Sequence, residues 1–267
     1  MRRWITDALL CTLALGLIVY ATVRGAAQSG YDWQWDRVAP YFLTLTDTGI
    51  SFGPLLGSGL LCTLRISIQG LALALAVGLA AALLRLAGGS FSRAVSLAYV
   101  QGFRNTPLMV QLLALYALMP AQWGISAEGV AVIALGLFEG AYMAEIFRAG
   151  IQAVPKGQWE AALSLGLAPG MVWRHVALPQ ALRQSLPPLV SQGVSLIKDS
   201  SLASVIAVSE LAQQSGLVVS DTFLAFEVWL PVAGIYLVLA LLLSALAACL
   251  ESRLSRGLAP AIRAGQF

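Results

Sequence analysis

The chain has 267 residues, of which 58% are hydrophobic and only 11% charged, with a formal net charge of +3. Soluble chains average about 25% charged residues, so this composition, with a mean hydropathy of +0.80, excludes an ordinary soluble domain. The basic residues are scattered rather than gathered on one stripe, which excludes a nucleic-acid-binding face.

Apolar runs long enough to cross about 30 Å of hydrocarbon as helix recur along the chain. The first, Ile5 to Val23, follows Met1-Arg2-Arg3. It reads either as a signal peptide or as an uncleaved span, and its length favours the span. Residues 25–54 turn polar and aromatic, with Tyr31-Asp32-Trp33-Gln34-Trp35-Asp36. Such aromatics beside acids suit the membrane–water interface; an ordinary loop with apolar anchors is at least as good a reading as substrate contact. A second span covers Gly57 to Leu86, interrupted by Arg65 and Gln69. A third, Val95 to Met119, carries the polar insert Gln101-Gly-Phe-Arg-Asn-Thr-Pro107, where Pro107 removes a backbone hydrogen bond and is expected to kink the helix. The fourth is Val130 to Phe147, followed by a polar, amphipathic segment from Arg148 to Arg183. The fifth begins near Leu186 and holds Lys198-Asp199-Ser200-Ser201; the sixth, Leu224 to Leu250, ends at Glu251-Ser-Arg-Leu-Ser-Arg256. Cys11, Cys62 and Cys249 each stand alone in these apolar stretches, without CxxC or histidine partners. Buried structural thiols are expected, not a disulfide framework or a metal site.

The expectation is an all-α polytopic membrane protein with about six transmembrane helices. Residues 1–54 form an N-terminal span and extracytoplasmic loop, 55–250 the transmembrane domain with a cytoplasmic loop at 148–183, and 251–267 a cytoplasmic tail. The positive-inside bias orients it. With the N-terminus inside, Arg2, Arg3, Arg85, Arg93, Arg148, Lys156, Arg174, Arg183, Arg253, Arg256 and Arg263 are cytoplasmic, and only Arg24 and Arg37 fall outside.

Polar residues inside the spans mark candidate sites. Arg104 either snorkels toward headgroups or, with Asn105 and Thr106, borders or gates a pathway; charge at membrane depth favours the second. Glu139, Tyr142 and Glu145 are spaced by three, with Glu139 the deeper acid and Glu145 placed to pair with Arg148. Gly136 and Gly140 fit GxxxG, by itself a weak sign of close helix approach. Lys198 and Asp199 either neutralise one another or meet a zwitterion, while Ser200 and Ser201 can return hydroxyls to the backbone.

The segment Ala153 to Pro179 looks like two short helices around a tight turn. Residues 158–165 form the first, with Glu160 in its first turn complementing the helix dipole. Gly166 closes it in left-handed geometry, Pro169 opens the second and Pro179 ends it. Ala161 and Ala162 leave one face small enough for another protein to approach. His175, the single histidine, is expected at the surface.

The spacing Glu160-Ala161-Ala162, three residues, Gly166, nine residues, Val176, one residue, Leu178-Pro179 resembles the "EAA" signature of permeases of ATP-binding-cassette importers, with Val176 where isoleucine is usual. Arg104-Asn-Thr-Pro-Leu-Met-Val-Gln-Leu112, Phe138 to Ile151, Lys156-Gly-Gln-Trp-Glu160, Leu178-Pro-Gln-Ala-Leu182 and Lys198-Asp-Ser-Ser-Leu202 resemble the polar amino-acid subfamily, over residues 57–250. The resemblance implies a type I importer-like helical bundle, a five-helix core plus the N-terminal span, in the bacterial inner membrane with both termini cytoplasmic. It implies that Glu160, Ala161, Ala162, Gly166, Leu178 and Pro179 couple to a cytoplasmic ATP-binding-cassette ATPase dimer. From their polarity at membrane depth, Arg104, Asn105, Thr106, Pro107, Gln111, Glu139, Tyr142, Lys198, Asp199, Ser200 and Ser201 are the candidates for the pathway or its gate. An extracytoplasmic amino-acid-binding protein and a second permease subunit, identical or paralogous, are the other implied partners besides the lipid bilayer. The chain has no G-x-x-x-x-G-K-[ST] loop; no cofactor is expected on it, and ATP with Mg would sit on the ATPase. The implied function is polar amino-acid uptake without enzymatic chemistry. An ion-coupled secondary transporter is the alternative, weakened by the lack of a clear inverted repeat.

Overall fold

The computed structural model describes residues 30–46, 49–86, 88–119 and 121–255, together with Leu13, Gly16, Leu17, Tyr20, Ala21, Arg24, Gly25 and Gln28. Most of the expected first span, Cys11 and the tail after residue 255 lie outside the described residues. A short amphipathic helix, α1 (Trp35–Phe42), leads into an antiparallel hairpin of β1 (Leu43–Thr46) and β2 (Gly49–Phe52), in which Leu43 pairs with Phe52 and Thr46 with Gly49. The rest is helical: a π-helical turn Leu55–Gly59 entering α2 (Leu60–Leu86), then α3 (Ser90–Arg104), α4 (Leu108–Leu118), α5 (Ala127–Gln152), α6 (Lys156–Ser164), α7 (Pro169–Val172), a π-helical turn Trp173–Ala177, α8 (Leu178–Asp199), a 3₁₀ segment Ser200–Ile206, α9 (Leu211–Thr222) and α10 (Ala225–Ser255).

By length and composition three helices can cross a membrane: Leu55–Leu86, Ala127–Gln152 and Ala225–Cys249. A fourth span results if Pro169–Ile206 and Leu211–Thr222, meeting at 51°, are taken together. The protein is thus an all-helical bundle apart from its hairpin, with three to four apolar spans among the described residues.

The seam between α2 and α5 organises the bundle. A Cβ on Gly78 would lie 2.9 Å from the Gly140 carbonyl oxygen and 2.9 Å from Met143 Cβ, and one on Gly136 would lie 2.5 Å from Leu73 Cδ2. A Cβ on Gly140 would come within 2.9 Å of the Tyr99 hydroxyl and 3.2 Å of the Ala74 carbonyl oxygen. The isolated GxxxG is therefore a real close approach, matched by glycine and alanine on α2. Residue numbers rise together across the seam, from Gly70 beside Leu135 to Gly78 beside Met143, so the two helices run parallel. α8 packs on the other side of α5 in the opposite sense. There a Cβ on Gly150 would meet the Ser185 hydroxyl at 2.0 Å and the Ala181 carbonyl oxygen at 2.9 Å.

The third span is not a kinked helix but two helices with a break at Asn105–Pro107. Pro107 holds ψ 135 and caps α4, so the chain leaves helical geometry before α4 starts. Its ring disfavours the helical conformation of the residue before it, and its missing N–H cannot bond back into α3. The cysteines also divide: Cys62 is buried, whereas Cys249 is exposed on the outer face of α10, contrary to the expected burial.

Two buried acids absent from the sequence reading fix the ends of this frame. Glu210 caps α9, accepting from the backbone N–H of Ala212 (2.9 Å) and Gln213 (2.6 Å) and from the Tyr236 hydroxyl (2.9 Å), which ties α9 to α10. Thr63 of α2 accepts from the Leu211 N–H at 3.0 Å. Glu227, fully buried in the first turn of α10, accepts from the Tyr31 hydroxyl at 2.5 Å and the Gln34 N–H at 2.9 Å. Around this latch Trp33 stacks on Trp35 (5.3 Å) and Tyr31 packs edge-on to Phe226 (5.2 Å), so the aromatics expected at the interface gather at the start of a membrane-spanning helix. Val38 of α1 completes an apolar cluster with Leu211, Val228 and Val232.

Two expectations follow. Gly78→Ala is expected to lower the thermal midpoint of the detergent-solubilised protein by the equivalent of roughly 1–3 kcal/mol, because backbone and Cβ atoms rather than flexible side-chain ends oppose the added methyl. Gly216→Ala, with nothing within 4 Å, is expected not to lower it. The hydrogen bond to Glu227 raises the Tyr31 phenol from its usual value near 10 to about 12. Its folded pKa being the higher, the contribution of this contact is complete below pH 10 and is lost as pH rises through about 12. NMR titration of labelled tyrosine, with Tyr31→Phe for assignment, is expected to find this late-titrating phenol, and Glu227→Gln to return it toward 10.

Candidate functional site

Two regions collect the candidate residues. The first lies in the middle of the bundle. Arg104 is the last residue of α3, and its guanidinium rests 4.9 Å from the ring centroid of Tyr142, near the middle of α5. The break at Asn105–Pro107 is thereby set at the mid-depth of a spanning helix. It is closed by side chains: Asn105 Nδ2 donates to the Gln101 carbonyl (2.9 Å), the Thr106 hydroxyl to the Gly102 carbonyl (2.9 Å), and Gln111 Nε2 to the carbonyls of Phe103 (2.8 Å) and Thr106 (2.9 Å). Gln111 Oε1 remains buried without a partner.

Arg104, Tyr142 and Gln192 share a cavity of about 510 Å³ with Glu145, Arg148 and Gln184, between α5 and α8, with Arg104 at the end of α3 on its wall. Glu145 is committed: Arg148 donates to it at 2.7 and 2.9 Å, as the spacing predicts, and Arg85 from the end of α2 also pairs with it. That second arginine was visible in the sequence only as a topological charge. Arg104 takes part in none of the ion pairs among the described residues.

Glu139 lies one turn before Tyr142 and is fully buried, as expected of the deeper acid. Gln192 Nε2 donates to its Oε2, Oε1 has no partner, and the Asp199 carboxyl lies within hydrogen-bonding reach. Gln192 went unremarked in the sequence, although it stands seven residues before Asp199, two helical turns along one face of α8. Lys198 and Asp199 do not form an ion pair; Lys198 is exposed while Asp199 turns inward, because successive residues on a helix point in different directions. The Ser200 and Ser201 hydroxyls donate to the carbonyls of Ile197 and Lys198, both at 2.7 Å, as read from the sequence, and there the helix tightens into its 3₁₀ segment.

The second region is the loop of α6 and α7. α6 begins at Lys156, so Glu160 sits in its middle, exposed, and not in the first turn; Pro155 supplies the cap and moves the start two residues earlier than expected. Gly166 takes φ +79, the Gly166 N–H bonds the Leu163 carbonyl (2.9 Å) and the Leu167 N–H bonds the Ala162 carbonyl (3.2 Å). This paired closure of a helix end is a Schellman turn, as the sequence predicts. Pro169 opens α7, again as expected.

Pro179 does not end that helix. The chain winds on into α8 through the π-helical turn Trp173–Ala177, in which the Leu178 N–H bonds the Trp173 carbonyl, and Pro179 occupies the opening turn of α8. The wider turn shifts the bonding register by one residue, so the missing N–H of Pro179 falls where little is lost. Ala161 is exposed, but Ala162 is buried within the protein, where Trp159 packs edge-on against Trp173 at 5.2 Å. His175 is exposed, as expected.

Comparison with known proteins gives the family. The family described as binding-protein-dependent transport system inner membrane component matches residues 74–256. The glutamine transport system permease protein GlnP of Escherichia coli (strain K12) is 40% identical over 204 residues, covering 75% of this chain and 93% of that protein. The L-cystine transport system permease protein TcyB of Bacillus subtilis (strain 168) is 40% identical over 211 residues, 77% of this chain and 89% of that protein. Among solved structures, an amino acid ABC transporter crystallised with histidines superposes with a TM-score of 0.70 at 38% identity, over 75% of this chain and 94% of that one. A subunit of the inward-facing MetNI methionine ABC transporter shares the fold with a TM-score of 0.66 at 21% identity, over 75% and 96%. On this evidence the chain belongs to the binding-protein-dependent inner-membrane components, as a multi-pass permease subunit of the amino-acid branch of ATP-binding-cassette importers and not an enzyme.

Proposed function

We propose that this chain, with a second permease subunit, forms the membrane path of an ATP-driven importer of polar amino acids and couples to its ATPases through residues 153–179. The observation that carries the coupling reading is the shape of that loop. The Schellman turn at Gly166 lifts Leu163 and Leu165 out of the fold, the latter 81% exposed, beside exposed Glu160 and Ala161. A short rigid helix with an apolar tip fits a groove in a soluble partner. Ala162, Leu178 and Pro179 act from behind: Ala162 seats α6, and the continuous run through Leu178 and Pro179 into α8 passes a push on the loop to the spanning helix. α8 ends at Asp199, beside Glu139, so the same rod reaches the middle of the bundle.

In this reading the pathway borders the cavity of Arg104, Tyr142 and Gln192, with Asn105, Thr106, Pro107 and Gln111 holding the broken helix that frames it. Lys198, Asp199, Ser200 and Ser201 mark the other helix interruption, and discontinuous helices at mid-depth are where membrane transporters place their substrates. The loop lies on the cytoplasmic side, where Lys156, Arg174 and Arg183 satisfy the positive-inside bias. The first apolar segment adds an N-terminal span to a five-helix core, with both termini cytoplasmic. ATP and Mg belong to the ATPase dimer, and an extracytoplasmic binding protein delivers the amino acid. Glutamine and L-cystine, named for the two relatives, set the substrate class as a polar amino acid.

Glu160→Lys in the full complex tests the coupling. Its exposed position makes an unchanged thermal midpoint the expectation, together with loss of ATPase co-purification and at least a tenfold fall in ATP-dependent uptake in proteoliposomes, equivalent to about 1.4 kcal/mol or more of coupling. Uptake that persists without the ATPase and follows a proton gradient would instead establish a secondary transporter.

A further inference from the structure

Glu139 and Asp199 place two carboxyl groups within hydrogen-bonding reach of each other in the middle of a membrane-spanning bundle. The ion pairs among the described residues are Arg65–Glu128, Arg85–Glu145 and Arg148–Glu145, and none reaches this pair. The basic groups nearby are otherwise disposed. Arg148 is spent on Glu145, Arg104 lies over Tyr142, and Lys198 points outward. Glu139 is fully buried, and its Oε1 has no hydrogen-bond partner. Two adjacent acids at low dielectric cannot both carry charge unless a cation joins them. Gln192 stands between the pair and open space, since its amide donates to Glu139 while its side chain lines the cavity of about 510 Å³.

Resting on the reading of that cavity as the amino-acid path, we propose that Glu139 and Asp199 form a binding site for an organic cation, so that the preferred substrate is an amino acid with a positively charged side chain. The unpartnered Oε1 accepts from the incoming guanidinium or ammonium group, and the Asp199 carboxyl supplies the second acceptor. A carboxylate carries acceptors only, and two of them facing one another match a group that carries donors only. Gln192 turns aside to admit the cation, its amide exchanging Glu139 for cavity water. At the other wall Arg104, free of ion pairs, takes the α-carboxylate. A neutral side chain such as glutamine's fills the same space but leaves the acid pair without its counter-charge, and a glutamate side chain adds a third acid.

The test is equilibrium binding of radiolabelled arginine, glutamine and glutamate to the full permease–ATPase complex in nanodiscs, with no binding protein present to impose its own selectivity. The expected result is arginine about tenfold tighter than glutamine, and glutamate weakest. Glu139→Gln and Asp199→Asn should each lower arginine affinity about tenfold and so remove that preference, whereas Gly216→Ala, outside the site, should keep it. Equal binding of arginine and glutamine by the parent protein would overturn the proposal without any variant, reducing the pair to a proton-sharing structural contact. Stabilisation by sodium chloride over choline chloride, with no preference for arginine, would overturn it in favour of an inorganic cation. Absence of both amino-acid binding and uptake would overturn it together with the transport reading itself, whereas uptake of glutamine with no arginine preference would leave that reading standing.

Discussion

Along the seam of α2 and α5, glycine and alanine bring two backbones so close that Gly78 and the Gly140 carbonyl leave no room for a methyl group. Between spanning helices lipid tails are as apolar as leucine, so burial of large side chains gives little drive to associate; close van der Waals contact along a strip of small residues supplies it instead. That contact sets two helices parallel and fixes the depth of everything α5 carries. Tyr142, Glu139 and Glu145 acquire defined positions because their helix cannot slide against α2 without driving Leu73 into the Gly136 backbone.

The second constraint is that backbone groups in hydrocarbon must find partners within the protein. Each interruption in the bundle is therefore stitched by side chains. Gln111 spans the gap left by Pro107, Thr63 and Glu210 take the first N–H groups of α9, and Ser200 and Ser201 bond back where α8 tightens. Interruptions held this way can border a polar cavity without loosening the bundle. The run from α7 through the π-helical turn into α8 connects an exposed loop to the acid pair by continuous helix, which gives a force at one end a mechanical route to the other.

Much of this was legible in the sequence, for identifiable reasons. Hydropathy located the three long apolar helices because the bilayer imposes their length, though it ran two shorter helices together at Val95 to Met119, and the closure at Gly166 was readable because only glycine takes φ +79 without strain. The Glu145–Arg148 pair followed from helical spacing. What the sequence hid were relations between distant segments. Arg85 joins Glu145 across the bundle, Gln192 reaches Glu139, and Tyr31 and Gln34 share Glu227 nearly two hundred residues away. Proline misled twice in opposite directions. Pro107 breaks a helix outright, the gap being closed by the side chains of Asn105, Thr106 and Gln111 rather than by backbone, whereas Pro179 is absorbed by a π-helical turn that composition does not announce. Lys198 and Asp199, adjacent in the chain, looked like mutual counter-charges until helical geometry sent them apart.

The central claim is that the cavity between α5 and α8 belongs to a path that the ATPase opens and closes through α8. It is tested most directly by cysteine labelling in proteoliposomes. In a background with Cys11, Cys62 and Cys249 replaced by serine, Gln192→Cys and Ala153→Cys, both at cavity-lining positions, are probed with a membrane-impermeant maleimide from the ATPase side, against Leu242→Cys on the exposed face of α10. The account predicts that Gln192→Cys and Ala153→Cys react without nucleotide, that Gln192→Cys becomes protected when the complex is trapped with ATP, and that Leu242→Cys is inert in both states. A Gln192→Cys that is unreactive throughout, or equally reactive with and without ATP, would contradict it.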